Sequence, residues 1–291
     1  MSAPAPLSAL LGDYPVTRAL KAGEVRSPRV ALEFAAVAAP SSAFKRVVRE
    51  AAFDVAELAL VTYLMAKERG APLVLLPAVV LARFQHPLLV GAAARGPLAP
   101  QELEGRRVGV RSWSVTTGMW MRSILAEDHG VDVRRVKWVT FEEPHVAGFR
   151  DPPNVERAPQ GKDMVEMLVA GELDAAIVTE RSLGDARLGP LIADPIGAAR
   201  DWQARHGGIQ VNHMVVVRAS LTRSEPDAAR EVYRLLRESR RAAGDPELNP
   251  FGVGANRRNL ELAIERTHAQ GLIARRFAVD ELFDGVTGTM D

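Results

Sequence analysis

The chain contains no cysteine, which removes disulfide frameworks, thiolate nucleophiles and cysteine-based zinc sites from consideration. Histidine is scarce: six are scattered over 291 residues, and none stands in the His-Glu-x-x-His spacing of a zinc hydrolase. There is no dinucleotide-binding glycine fingerprint and no phosphate loop. Excess charge is missing too. Lys and Arg number 37 against 36 Asp and Glu, a net +1, so nothing draws the chain to nucleic acid or to an acidic membrane. The longest apolar stretch, residues 71–82, carries two prolines and is too short to span a bilayer. Residues 1–12 are mildly apolar without a basic start, and Asp13, Arg18 and Lys21 interrupt before an apolar segment of useful length develops. The expectation is a soluble cytoplasmic protein that keeps its N-terminus.

What is present is ordinary globular material. Hydrophobic residues make up 47% and charged residues 25%, enough over this length for a large core in one or two lobes. Short apolar runs alternate with helical patterns, the signature of a mainly parallel sheet covered by helices. Strands are expected at residues 30–34, 55–58, 73–80, 88–91, 107–110, 136–139, 175–178 and 214–217. Helices are expected at 42–50, 62–68, 116–128, 162–169, 226–243 and 257–270. Residues 141–160 hold four prolines and read as a loop, as do residues 245–255.

Residues 103–110 run Leu-Glu-Gly-Arg-Arg-Val-Gly-Val, and residues 171–175 run Gly-Glu-Leu-Asp-Ala. This progression resembles the second lobe of type II periplasmic binding proteins. The resemblance implies an α/β, two-lobed clamshell with two crossover strands. One lobe would comprise residues 1–88 plus 216–291, the other 89–215, with the ligand in the cleft between them.

A closer resemblance runs in order along nearly the whole chain. It is carried by Gly12-Asp13-Tyr14, residues 53–58 (Phe-Asp-Val-Ala-Glu-Leu), Thr62-Tyr63-Leu64, residues 116–120 with Arg122, Trp138-Val139 and His213-Met214-Val215-Val216. Phe251-Gly252-Val253, Asn256-Arg257, Leu260-Glu261, Gln270-Gly271-Leu272 and Glu281-Leu282-Phe283 complete it. Together they resemble the 4,5-dihydroxyphthalate decarboxylases, which implies non-oxidative decarboxylation of an aromatic dicarboxylate. One departure stands out. In that family an arginine directly precedes the histidine matching His86 and another stands three residues earlier; here Gln85 and Ala82 hold those places, and an arginine sits at Arg83.

The candidate residues follow from position and chemistry. Ser112, Trp113, Ser114, Thr116 and Thr117 form a strand-to-helix turn whose hydroxyls and free N–H groups suit a carboxylate, although Thr116 also reads as a plain N-cap. Trp113 either stacks on an aromatic ring or plugs the hinge. Trp120 reads as core and Arg122 as surface charge. Asp13 and Tyr14 follow the end of an expected first strand. Glu57 is a carboxylate inside an apolar run, costly unless partnered, so it either pairs with a cation such as Arg83 or lines the cleft. His86 and His213 stand at the two crossovers and can titrate near neutral pH. Arg181 follows a strand end.

Losing CO2 directly from an aryl carboxylate would leave an aryl carbanion, so the ring carbon must be protonated first. The scheme needs an acid (His213 or His86), a base for a phenol (Glu57) and a cation for a spectator carboxylate (Arg83 or Arg181). It requires no redox cofactor; a divalent metal stays open, as does assembly into a homo-oligomer. The expected ligand is a small aromatic carboxylate. A non-catalytic carboxylate-binding protein is the competing reading.

Overall fold

A computed structural model describes residues 4–291. They divide into two compact units, one made of the chain up to Arg83 together with Ile209–Asp291, the other Phe84–Gly208. In chain order the first unit begins with β1 (Ala5–Leu10), α1 (Pro15–Lys21), β2 (Val30–Phe34), α2 (Phe44–Glu50), β3 (Val55–Ala59), α3 (Leu60–Glu68) and β4 (Leu73–Ala82). The second unit holds β5 (Leu89–Ala92), β6 (Arg107–Val110), α4 (Thr116–His129), β7 (Lys137–Thr140), β8 (Val155–Arg157), α5 (Met164–Val169), β9 (Ala175–Ile177), β10 (Leu188–Pro190) and α6 (Pro195–His206). The chain then returns to the first unit with β11 (Val211–Arg218), α7 (Ala219–Ser224), α8 (Pro226–Ala242) and α9 (Val253–Ala269).

The first unit's sheet has the order β2-β1-β3-β11-β4. β1 lies parallel to β2 and β3, and β11 runs antiparallel between β3 and β4. All five residues of β3 are buried, as a central strand covered on both faces requires. One face packs Leu7, Ala9, Val55, Val215 and Val217 against Val16 and Leu20 of α1 and Val232, Leu235 and Leu236 of α8. α3 and α9 pack on each other, and α3 on β3 and β11; none of their residues joins that cluster, so they cover the other face. The second unit's sheet has the order β10-β5-β9-β6-β7-β8. Its β6 is flanked in parallel by β7 and β9, while β5 and β10 run antiparallel.

The expected lobe boundaries at 88/89 and 215/216 lie downstream of those observed. The turn His86–Leu88 packs on α6, which ties it to the second unit. β11 pairs with β3 and β4 from its first residues onward, which holds residues 211–215 in the first. Among the described residues no helix is long and apolar enough to cross a membrane.

Candidate active site

In the antiparallel pair of β3 and β11, Glu57 lies opposite Val215 and Ala59 opposite His213. Residues opposite each other share a face, so Glu57 and His213 are diagonal neighbours on one face, close enough for long side chains to meet. The register of β11 against β4 shifts on both sides of His213, the kind of irregularity that re-aims a side chain next to a site. Parallel β1 sits on the other side of β3, with Ala9 beside Val55 and Leu10 beside Ala56. Its continuation therefore brings Gly12 and Tyr14 up to Glu57, at the carboxyl ends of the parallel strands.

Glu57 is fully buried. An unpartnered carboxylate there would cost several kcal/mol, and three donors offset that cost. The Gly12 N–H donates to Oε2, the Tyr14 hydroxyl donates to Oε1 at 2.8 Å, and His213 Nδ1 lies 2.9 Å from Oε1. Hydrogen bonds to a charged acceptor contribute about 1.5–3 kcal/mol each. Burial, reinforced by the Glu57 charge and hydrogen bond, pushes the Tyr14 hydroxyl above its ordinary range, so it keeps its proton and stays a donor. Since Oε1 only accepts, Nδ1 of His213 carries a hydrogen, and Nε2 is the nitrogen left for chemistry. The His213 side chain is 14% exposed, and the Phe44 ring meets it edge-on at 5.3 Å and 77°. A buried carboxylate thus fixes the tautomer and orientation of a partly exposed imidazole, the arrangement that activates histidine in hydrolytic triads.

Arg83 stands after β4, and its charge is felt at the Tyr14 hydroxyl. Of the two readings of Glu57, pairing with a cation or lining the cleft, the structure gives it His213 as a partner. As a base for a phenol Glu57 is obstructed, because its oxygens are enclosed and taken by three donors. Asp13 belongs elsewhere too: its side chain is 86% exposed and faces Lys21 at 2.5 Å, so the turn that aims Tyr14 inward aims Asp13 outward.

The second unit gathers the other sequence candidates. His86 is fully buried, and neither ring nitrogen makes a hydrogen bond; Nε2 stands 3.8 Å from Asp128, beyond hydrogen-bond range. Burial pushes its pKa down to about 4, against the opposing pull of Asp128. At neutral pH this leaves it an uncharged imidazole, a poor proton donor. Ser112, Trp113, Ser114 and Thr116 are buried. Val115 is the N-cap of α4, so Thr116 is its first helical residue and not the cap. The Arg122 guanidinium lies 3.7 Å over the Trp113 ring, donates to the Trp113 carbonyl at 2.9 Å and is buried with its side chain. Trp113 also meets Trp138 edge-on at 5.8 Å. Within this unit Trp113 is a packing residue and Arg122 a core cation, not surface charge; burial lowers the Arg122 pKa to about 9. Trp120 is core, as expected, against Trp202. Arg181 is exposed on a short turn after β9. Among the described residues no three His, Asp or Glu side chains converge to hold a metal ion.

Sequence reasoning missed Gly12, Thr17 and Phe44, which shape the Glu57–His213 pair. The signal available was a small residue before Tyr14 and a threonine three positions after it, the spacing of a helix-capping hydroxyl.

No family model matches the chain. Among solved structures, an aliphatic sulphonate binding protein from Escherichia coli superposes with a TM-score of 0.65 at 11% identity, over 98% of this chain and 93% of that one. An alkanesulfonate-binding protein from Xanthomonas axonopodis gives 0.62 at 12%, over 98% and 99%. A desulfurization enzyme gives 0.57 at 13%, over 97% of each chain. These likenesses show the fold, that of type II periplasmic binding proteins. In sequence, a 4,5-dihydroxyphthalate decarboxylase of Comamonas testosteroni is 27% identical across 95% of this chain and 96% of its own. One of Pseudomonas putida is 33% identical across 67% of this chain and 80% of its own. The likeness therefore extends from fold to sequence, and the chain belongs to the 4,5-dihydroxyphthalate decarboxylase family.

Proposed function

We propose that the protein is a cytoplasmic, non-oxidative decarboxylase of an aromatic dicarboxylate of the 4,5-dihydroxyphthalate type, with His213 as the proton donor. The observation that carries this reading is the buried Glu57 holding His213 through Nδ1 at 2.9 Å. A solute-binding pocket has no need to store a charge beneath an imidazole, whereas a general acid does.

The chemistry balances without an oxidant. A hydroxyl para to the departing carboxylate, its proton released to water, pushes an electron pair into the ring. The carboxylate-bearing carbon takes the Nε2 proton of the imidazolium, giving a dienone. The bond to the carboxylate then breaks, its electron pair restores the aromatic ring, and CO2 leaves. Glu57 steadies the imidazolium before the transfer, and water returns the proton afterwards. Arg83, whose charge reaches the Tyr14 hydroxyl, supplies a cation for the spectator carboxylate.

The test is to incubate the purified protein with 4,5-dihydroxyphthalate and related aromatic carboxylates, following CO2 and the decarboxylated phenol together with the heat of binding. Stoichiometric CO2 and protocatechuate are expected from the first substrate. Heat of binding without CO2 from any of them would leave a carboxylate-binding protein instead. Cell fractionation checks the cytoplasmic placement.

A further inference from the structure

We propose that Gly12 and Thr17 are positioning residues: their turn fastens the Tyr14 hydroxyl to Glu57 and thereby fixes which nitrogen His213 presents. The inference rests on the reading of His213 as proton donor, and it concerns residues to which no role attaches so far.

Three observations carry it. An ideal Cβ built on Gly12 would lie 2.6 Å from Cζ, 2.7 Å from Cε2 and 2.8 Å from the hydroxyl oxygen of Tyr14. The Tyr14 ring therefore occupies the space that any side chain at position 12 would need. Thr17, fully buried, donates its hydroxyl to the Gly12 carbonyl at 2.6 Å and accepts the Tyr14 N–H at 3.0 Å. One hydroxyl thus latches two of the three residues that donate to Glu57. Finally, Glu57 Oε1 is shared between the Tyr14 hydroxyl and His213 Nδ1, so the orientation of that oxygen toward the imidazole depends on the tyrosine staying in place.

The consequences are directional. Without the Tyr14 hydroxyl, Oε1 is no longer held toward Nδ1, and the imidazole hydrogen can settle on either nitrogen. The step that slows is proton transfer, so kcat falls while KM barely moves.

The experiment compares Gly12→Ala, Thr17→Val, Thr17→Ser and Tyr14→Phe by kcat and KM and by the nitrogen-15 shifts of the labelled His213 imidazole. In the wild type the neutral ring should show its hydrogen on Nδ1. Gly12→Ala, Tyr14→Phe and Thr17→Val should each lower kcat by roughly 10- to 100-fold, the scale for partners that orient a functional group. They should also leave the neutral ring as a mixture of tautomers, whereas Thr17→Ser should restore the wild-type values. In a Tyr14→Ala background, where no ring remains to be displaced, Gly12→Ala should add less than about twofold. If Gly12→Ala does not fold, the threonine pair carries the test alone. An unmoved kcat and unmoved nitrogen shifts in Thr17→Val would overturn the proposal, as would a full effect of Gly12→Ala in the Tyr14→Ala background. Failure of the parent reading looks different: His213→Asn would then decarboxylate at the wild-type rate. The nitrogen shifts would still decide whether the turn sets the tautomer.

Discussion

Two histidines stand near the points where the chain passes from one unit to the other, and their surroundings differ in kind. His213 lies inside β11 with Nδ1 on a buried carboxylate and its side chain 14% exposed. His86 lies in a turn beside α6, fully buried, with both ring nitrogens unbonded. From sequence the two looked equivalent. What separates them is where the burial falls: for His213 the partner is buried and the imidazole reaches outward, whereas for His86 the imidazole itself is buried and its nearest carboxylate, Asp128, is tied to Arg205 at 2.9 Å. Burying an imidazole disfavours its charged form, whereas a carboxylate beside it favours that form.

The sharpest way to break this comparison is to replace each histidine by asparagine and measure turnover. His213→Asn keeps much of the shape and removes the acid, so kcat should fall by roughly 10²- to 10⁴-fold with little change in substrate binding. His86→Asn should leave kcat within about a factor of three of wild type, less than 1 kcal/mol in the barrier. Equal losses in both variants would erase the distinction.

The second test reads stability against pH. In the folded protein His86 is pushed down to about 4, whereas in the unfolded chain it takes a proton near 6.5. The unfolded state therefore binds more protons between those values. Its contribution is fully present above about pH 6.5 and is lost as the pH falls toward 4, by at most about 3 kcal/mol. Denaturant melts between pH 4 and 7.5 should show this slope in the wild type and lose it in His86→Asn. A variant that keeps the slope would show the pocket to be wet.

How much of this was legible in the sequence depends on the element. β2 and β6 have the expected limits, because turns bound both apolar runs. β11 was visible only as its apolar stretch 214–217, so His213 read as lying before the strand and not within it. The helix α6 buries just Ala199 and Trp202, too thin an apolar stripe to stand out. α1 was missed because it spans only two turns, and β8 because it is three residues long and mostly exposed. At the site, the cost of burying Glu57 was legible, but its partner was not. The pairing joins residues 156 apart through a diagonal register that no local pattern encodes. Arg122 misled for a related reason: a guanidinium reads as surface until an aromatic ring is known to lie 3.7 Å beneath it.

A third test compares the carboxylates that face the two histidines. Glu57→Gln keeps the size of the side chain but replaces the charge that steadies the imidazolium. It should lower kcat by roughly 10- to 100-fold, the usual scale for a partner that orients a functional group. Steady-state kinetics on substrate confirmed to release CO2 gives the number. A rise in KM alone would mean that Glu57 serves binding.

The smallest expected effect belongs to Asp128→Asn, and it is the finest probe of the His86 pocket. Asp128 pulls the His86 proton affinity upward against burial, while the Arg205 charge pulls it downward. Removing the carboxylate leaves burial and Arg205 unopposed, so the folded-state affinity falls further while the unfolded chain still takes its proton near 6.5. The gap between the two widens, and the loss of stability continues to lower pH than in the wild type. Apart from a constant offset of about 0.5 kcal/mol for the lost Asp128–Arg205 pair, the two stability curves should coincide above about pH 6.5. They should part only toward pH 4, with the variant the less stable. Turnover at neutral pH should not change, because His86 is uncharged there in both proteins. Curves that part instead near neutral pH would mean that His86 carries a proton in the folded wild type, and the contrast with His213 would then be one of degree.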